Sequence, residues 1–351
     1  MNQPPVIPHS RPSLGEAEAQ AVADVVHTGL IAQGEKVLEF ERALAKMTGQ
    51  DQGVAASSGT AAVFLALKGL GIGPGDEVIF PSYVCTAPWH AVSQAGATPV
   101  LVDIDPETYH PSPGAVTRAI TSKTKAVIVP HLFGLPADLS ELEKSGIPII
   151  EDCAQTLGAS MGGRPVGSVG ALTVCSFYAT KLITTGEGGM VLGRSGPRMA
   201  RIRALRQYDE QDALESAFNY KMTDMQAALG LCQLKALPQF ITRRQAIAAQ
   251  YTAVLRGVKA EPPRDRPDGG HVYYRYVIRV AEPVESVLQR FAERGVMCRR
   301  PVFRPLHRYL GLTGFPETDR AWEHTLSVPI YPSLTDAEVA QVVGAMRAVL
   351  A

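Results

Sequence analysis

Seven short runs of Val, Ile, Leu and Ala constrain this chain more than any other feature. They are "GVAAS" (53–57), "DEVIFP" (76–81), "TPVLVDI" (98–104), "KAVIVPHLF" (125–133), "IPIIEDC" (147–153), "LTVCSFY" (172–178) and "GGMVLG" (188–193). Almost none alternates polar with apolar residues. A strand without a polar face is buried on both sides, which implies a mostly parallel sheet covered by helices. Helical patterns such as "TAAVFLALKGL" and "TAPWHAVSQAG" lie between the runs. The expectation is an α/β large domain with a mostly parallel seven-stranded sheet, residues 1–235. From about residue 196 the pattern turns helical. After a loop at "EPPRDRPDGG" (261–270) come a strand, "VYYRYVIRV", a helix, "VESVLQRFAERG", and a final helix, "DAEVAQVVGAMRAVL". These make a smaller α+β C-terminal domain, residues 236–351. No internal repeat is present.

The 351 residues can bury a large core in either domain. Lys+Arg and Asp+Glu both total 34, so no overall basic field exists to hold nucleic acid. No apolar run is long enough to span a bilayer, and "MNQPPVIPHSRP" has no apolar leader-like core. The five cysteines are widely spaced with no C-x-x-C, which favours neither a metal site nor a disulfide framework. A cytoplasmic protein without nucleic-acid or membrane partners is expected.

Ligands of open α/β sheets bind beyond the carboxyl ends of the strands. Three features stand there. "SSGTAAVFLAL" follows a strand and opens a helix, so Gly59 and Thr60 form either an anion cradle or an ordinary helix cap. "PIIEDCAQ" ends an apolar strand on two carboxylates. Asp152 therefore needs a cationic or hydrogen-bonding partner, either a protein group or the protonated ring nitrogen of a cofactor. Lys181 is alone in a run free of other Lys or Arg until Arg194. It is either a lysine reaching solvent from a strand end or an amine that attacks a carbonyl. Pyridoxal phosphate has a group complementary to each feature: a phosphate, a pyridine nitrogen and an aldehyde.

With these motifs in view, the chain resembles the sugar aminotransferases of the DegT/DnrJ/EryC1/StrS family, which have the aspartate aminotransferase fold (fold type I). The likeness runs through "ASSGTAAVFLAL", "GDEVIFPSY", "GATPVLVDIDPETY", "VPHLFG", "IEDCAQTLGA", "SFYATKLITTGEGGMV", "LRQYDEQ", "FNYKMTDMQAALGLCQL" and "PLHRYLG" with "LSVPIYPSLTD". It implies Lys181 as the Schiff-base lysine, Asp152 as the pyridinium partner and Gln155 as a contact to the ring hydroxyl. Gly59, Thr60 and Ser176 would hold the phosphate, with Asn219 reaching it from the other subunit of a homodimer. The resemblance implies pyridoxal 5'-phosphate as cofactor. It also implies ping-pong transfer of an amino group, usually from L-glutamate, to a nucleotide-linked keto-sugar. A keto-cyclitol or related non-nucleotide acceptor is the alternative within the family. Relatives that dehydrate sugars carry histidine where Lys181 stands, so the chain falls on the aminotransferase side.

The chain departs from the family at Cys85, a position often aromatic, where sulfur can lie against a ring. Ala217 and Lys221 replace the usual Gly and Arg. Tyr83, His131, Glu187 and His307 are candidate substrate contacts. Arg299, Arg300 and Arg304 form a local basic group suited to a diphosphate or a carboxylate, or else a solvated face. "GASMG" (158–162) matches the serine hydrolase pattern with Ser160 as nucleophile, but it does not directly follow a strand, as that elbow requires. A cofactor-binding sensor is disfavoured because no helix-turn-helix or basic arm is attached.

Overall fold

The computed structural model describes residues 6–209, 216–265 and 270–351. The expected loop at 261–270 and the "LRQYDEQ" motif lie partly outside the described residues. Each apolar run forms a strand: β1 (Gln52–Ala56), β2 (Glu77–Pro81), β3 (Thr98–Val102), β4 (Thr124–Pro130), β5 (Ile149–Asp152), β6 (Leu172–Ser176) and β7 (Gly189–Gly193). They assemble in the order β1-β7-β6-β5-β4-β2-β3. Only β7 is antiparallel to its neighbours.

The missing polar alternation has its cause in the layers on both faces. Val54, Ala56, Val174 and Val191 face one core, shared with the buried helix α3 (Gly59–Gly69). Ala55, Cys175, Met190 and Leu192 face another, shared with Phe40 of α2 (Glu35–Thr48). Neighbouring residues thus point to opposite cores, and both must be apolar. Around the sheet lie α1 (Glu16–Thr28), α4 (Ala87–Gln94), α5 (Pro113–Ala119) and α6 (Pro197–Arg206).

The 32-residue helix α7 (Asp224–Leu255) starts on a capping box, in which Thr223 Oγ1 accepts from Gln226 N and the Gln226 side chain accepts from Thr223 N. The Asp224 carboxylate accepts from the amides of Gly34, Lys36 and Val37 and so fastens this end to α2. Farther along, Ile247, Tyr251, Val254 and Leu255 enter the core of the smaller domain. That core is completed by an antiparallel sheet of β8 (Ala260–Glu261), β9 (Tyr276–Val280) and β10 (Thr325–Val328), with α8 (Val284–Ala292) and α10 (Asp336–Leu350). A further helix, α9 (Pro316–His324), leads into β10. Two features run across the division expected at 235/236. One is α7, which is continuous there, and the other is Ile7, which pairs with Val296 and is buried in the C-terminal core. Among the described residues no helix is long and apolar enough to cross a membrane.

Candidate active site

The carboxyl ends of β1, β5 and β6 and the start of α3 lie close together: Gly59 meets Ser176, and Asp152 is within electrostatic reach of Lys181. Ser58 caps α3, its Oγ accepting from Ala61 N at 3.1 Å. The capped first turn leaves the amides of Gly59 and Thr60 directed outward without an intrahelical acceptor, as at any helix start. Gly59 is required here because an added Cβ would sit 2.7 Å from Ser176 Cβ and 2.9 Å from its Oγ. The helix start and the Ser176 hydroxyl therefore approach closely enough to share one anion. Gly189 of β7 pairs with both Ala56 and Ser176, tying the two strand ends behind this cradle.

Asp152 ends β5, and its Oδ1 accepts from Ala154 N at 3.0 Å. Burial pushes its carboxyl above the ordinary range, although that amide and the charges of Lys181 and His131 work the other way. Such a carboxylate is incompletely compensated and suits a cation placed against it. Gln155 Oε1 accepts from Phe133 N at 2.7 Å, which orients its amide NH2 away from that contact. Cys85 is exposed, within electrostatic reach of both Lys181 and Asp152. Crowding around the sulfur raises its thiol, with the Lys181 charge opposing.

Lys181 lies in the turn after β6, its backbone N donating to Tyr178 O at 2.8 Å. Among the described residues no carboxylate comes within ion-pair distance of Nζ, which sits 5.3 Å from the centre of the Tyr274 ring. Burial alone would raise the Tyr274 phenol, but Lys181 and Arg275 overcome it and hold the phenol down at about 8. The backbone of 272–275 brings this tyrosine in by lying against 133–134, with Val272 N donating to Gly134 O and Arg275 N to Phe133 O. Gly134, at φ +103, is needed at that crossing, since a Cβ would meet the backbone nitrogens of Tyr273 and Tyr274 at 2.7 and 2.6 Å. Phe133 itself holds the left-handed region at φ 61.

Three of the expected substrate contacts are engaged within the protein. His131 is buried, with Nδ1 accepting from Ala137 N and Nε2 donating to Glu151 at 3.1 Å, so both nitrogens are engaged within the protein. Burial opposes the ionisation of Glu151, yet His131 and the amides of Val169 and Gly170 hold it below its usual value. The proximity of His131, Glu151 and Cys153 is thus a structural knot rather than a metal site. His307 is likewise spent, bonding Ser82 Oγ through Nδ1 at 2.8 Å and Asp319 through Nε2 at 3.1 Å. Tyr83 is fully buried, its hydroxyl 2.8 Å from Thr325 Oγ1. Glu187 is exposed on the Lys181 loop, its carbonyl accepting from Gln226 Nε2. Asn219 is exposed between Phe218 and Tyr220, whose stacked rings pack on Phe64 of α3. Ser160 lies on a two-residue ribbon paired with Pro165, not at a nucleophile elbow.

Sequence reasoning missed Tyr274, Arg275 and Arg244. Arg244 is buried, donating to the carbonyls of Tyr273, Tyr274 and Ile330. For Tyr274 and Arg275 the available signal was a charge among the aromatics of "VYYRYVI", just before β9; Arg244, in α7, had none.

A mostly parallel sheet whose strand ends gather an anion cradle, an under-compensated carboxylate and an unpaired lysine defines a fold type I pyridoxal phosphate enzyme. The cradle, the acid and the amine fit that cofactor's phosphate, ring nitrogen and aldehyde. The DegT/DnrJ/EryC1/StrS aminotransferase family model matches residues 12–347. Over its whole length the chain is 33% identical to GDP-perosamine synthase of Caulobacter vibrioides, also covered in full. It is 34% identical to the spore coat polysaccharide biosynthesis protein SpsC of Bacillus subtilis, over 97% of this chain and 96% of SpsC. The PMP-form of Spr1654 from Streptococcus pneumoniae superposes with a TM-score of 0.93 at 30% identity, covering 98% of this chain and 97% of that one. The chain belongs to the DegT/DnrJ/EryC1/StrS family and is a pyridoxal phosphate-dependent aminotransferase.

Proposed function

We propose that this enzyme moves an amino group from L-glutamate to the keto group of a nucleotide-linked sugar, by two half-reactions that share one site. The observation that carries the reading is the meeting of Lys181, Asp152 and Cys85 in the cleft beside the α3 cradle. The sugar-nucleotide part draws on the relatives, one of which is a GDP-perosamine synthase.

When bound, pyridoxal phosphate supplies an electron sink for the carbon that bears the amino group. The amides of Gly59 and Thr60 and the hydroxyl of Ser176 would anchor the phosphate, and Asp152 would keep the ring nitrogen protonated. Cys85 would help hold the ring, and the Gln155 amide would meet its hydroxyl. Lys181 would hold the cofactor and serve as the general base that moves the proton, a role worth about 10²–10⁴ in rate. The Tyr274 ring, 5.3 Å from Nζ, would hold the Lys181 amine in place through a cation–π contact.

A homodimer with shared sites follows from the role given to Asn219, exposed and available to a second copy. The exposed Val26, Leu30, Ile31 and Leu38 on and between α1 and α2 offer an apolar face for it.

The test is a panel of nucleotide-linked amino sugars, amino cyclitols and L-glutamate, each mixed singly with the holoenzyme while its cofactor spectrum is followed. Conversion by glutamate and by nucleotide-linked amino sugars is expected. Conversion by cyclitols alone would replace the acceptor, and failure with glutamate would replace the donor.

A further inference from the structure

Beside the Lys181 cleft lies a second concavity, a groove of about 820 Å³ whose walls include Arg275, Arg299, Arg300, Arg304 and Arg308. That volume suits a ligand the size of a nucleotide. Two of the five guanidinium groups are matched by acids: Arg308 meets Asp319 and Glu323, and Arg300 meets Glu285. Even so, Arg300 Nη1 is buried with no hydrogen-bond partner. Arg275, Arg299 and Arg304 have no acidic partner among the described residues. Three uncompensated cations beside an orphaned guanidinium N–H call for a polyvalent anion.

The groove is also built to stay in shape. The guanidinium groups of Arg300 and Arg308 lie over Trp322, 3.9 and 4.1 Å from its ring centre. Its Nε1 donates to Phe303 O at 3.0 Å, which fixes the loop that carries Phe303 and Arg304. Arg304 donates to Arg308 O at 2.7 Å and lies over Tyr309. Phe303 remains 84% exposed, an aromatic face set on a cationic rim. Surface aromatics so placed stack on nucleobases.

The groove and the catalytic cleft share a wall. Arg275 lines both the groove and the chamber behind Lys181, and it bonds His9, which in turn bonds Ser327. Ser327 exchanges backbone hydrogen bonds with Arg299. We infer that this groove is the seat of the nucleoside diphosphate of the acceptor, its diphosphate on Arg275, Arg299 and Arg304 and its base on Phe303, so that the attached sugar is directed past Arg275 toward Lys181. The inference rests on the nucleotide-linked reading above and adds to it the residues that read the carrier.

Titration of the holoenzyme with GDP, UDP, dTDP and inorganic pyrophosphate tests it, with calorimetry and Trp322 fluorescence as readouts in a Trp89→Phe background, since the chain has two tryptophans. Arg299→Gln and Arg304→Gln should each weaken all four ligands by about tenfold or more. Phe303→Ala should weaken the three nucleotides about fivefold or more and leave pyrophosphate unchanged. All three sites are exposed, so folding is not at risk, and Arg304→Lys should recover part of the loss. Equal affinities across wild type and variants, or no binding of any nucleotide to wild type, would overturn the assignment. Borohydride reduction of the same holoenzyme reads Lys181 separately. Covalent cofactor without nucleotide binding sinks the groove alone, and nucleotide binding without covalent cofactor sinks the chemistry alone.

Discussion

Replacing Gly59 by alanine tests the cradle without touching a charged group. The new methyl would lie 2.7 Å from Ser176 Cβ and 3.4 Å from Ser176 Cα, where ordinary carbon contacts need about 3.5–4.0 Å. Neither atom can turn away, because both belong to the backbone geometry of β6. The start of α3 must instead retreat by a good part of an ångström. Overpacking of that kind costs about 1–3 kcal/mol. It also separates the helix amides from the Ser176 hydroxyl, so the loss should appear in pyridoxal phosphate affinity as about a 5- to 150-fold rise in Kd. Ser176→Gly removes the obstructing Cβ, and in that background Gly59→Ala should have little further effect. A double-mutant cycle by fluorescence titration of cofactor into apoenzyme, with melting curves alongside, gives a coupling energy that should exceed about 1 kcal/mol. Strictly additive effects, or Gly59→Ala binding cofactor as wild type does, would refute the close approach as the basis of the cradle.

Lys181→Ala should abolish multiple turnover, and borohydride should no longer fix the cofactor to the chain, as peptide mapping would show. Asp152→Asn should slow both half-reactions by about a thousandfold, since two unit charges in contact near a protein surface contribute about 4 kcal/mol. In the apoenzyme the raised Asp152 pKa implies a contribution to stability that is fully present below the ordinary carboxylate value and is lost as pH rises through the raised one. Asn at this position should flatten that part of the melting-temperature profile. Tyr274 has the opposite sign. Its phenol is depressed to about 8, so its contribution is present above the ordinary phenol range and is lost as pH falls through about 8. An ultraviolet phenolate signal titrating there should vanish in Tyr274→Phe.

The strands were legible because burial on both faces writes itself locally: Val54, Ala55 and Ala56 must all be apolar whatever lies farther away. Strand ends then located Gly59, Asp152 and Ser176, since the topology rule needs only the strand positions. Side-chain direction and distant partners were not legible. His131 and His307 stand near strand or domain ends as a substrate ligand would, yet Glu151 and Asp319 claim them. Nothing in "VPHLFG" or "PLHRYL" names those partners. Tyr83 is lost in the same way to Thr325, 242 residues away. Tyr274 and Arg275 escaped notice because the crossing of 272–275 over Gly134 is a tertiary event. Its local trace is a glycine in one motif and a charge in another.

The uninterrupted passage of α7 between the two cores sets how the molecule can breathe. A helix of 32 residues is a rod of about 48 Å. Asp224 clamps one end of it to α2, and the Arg244 guanidinium grips three carbonyls of the C-terminal lobe farther along. Any swing of that lobe must therefore bend the shaft or drag its fixed end. Pro238, which interrupts the ladder of amides one turn before Thr242, is the weak point. It adjoins Leu237 and Ile241, the side chains pressed against Gly158 a few residues beyond Gln155. Opening of the C-terminal lobe would thus flex the shaft against Gly158 of the large domain.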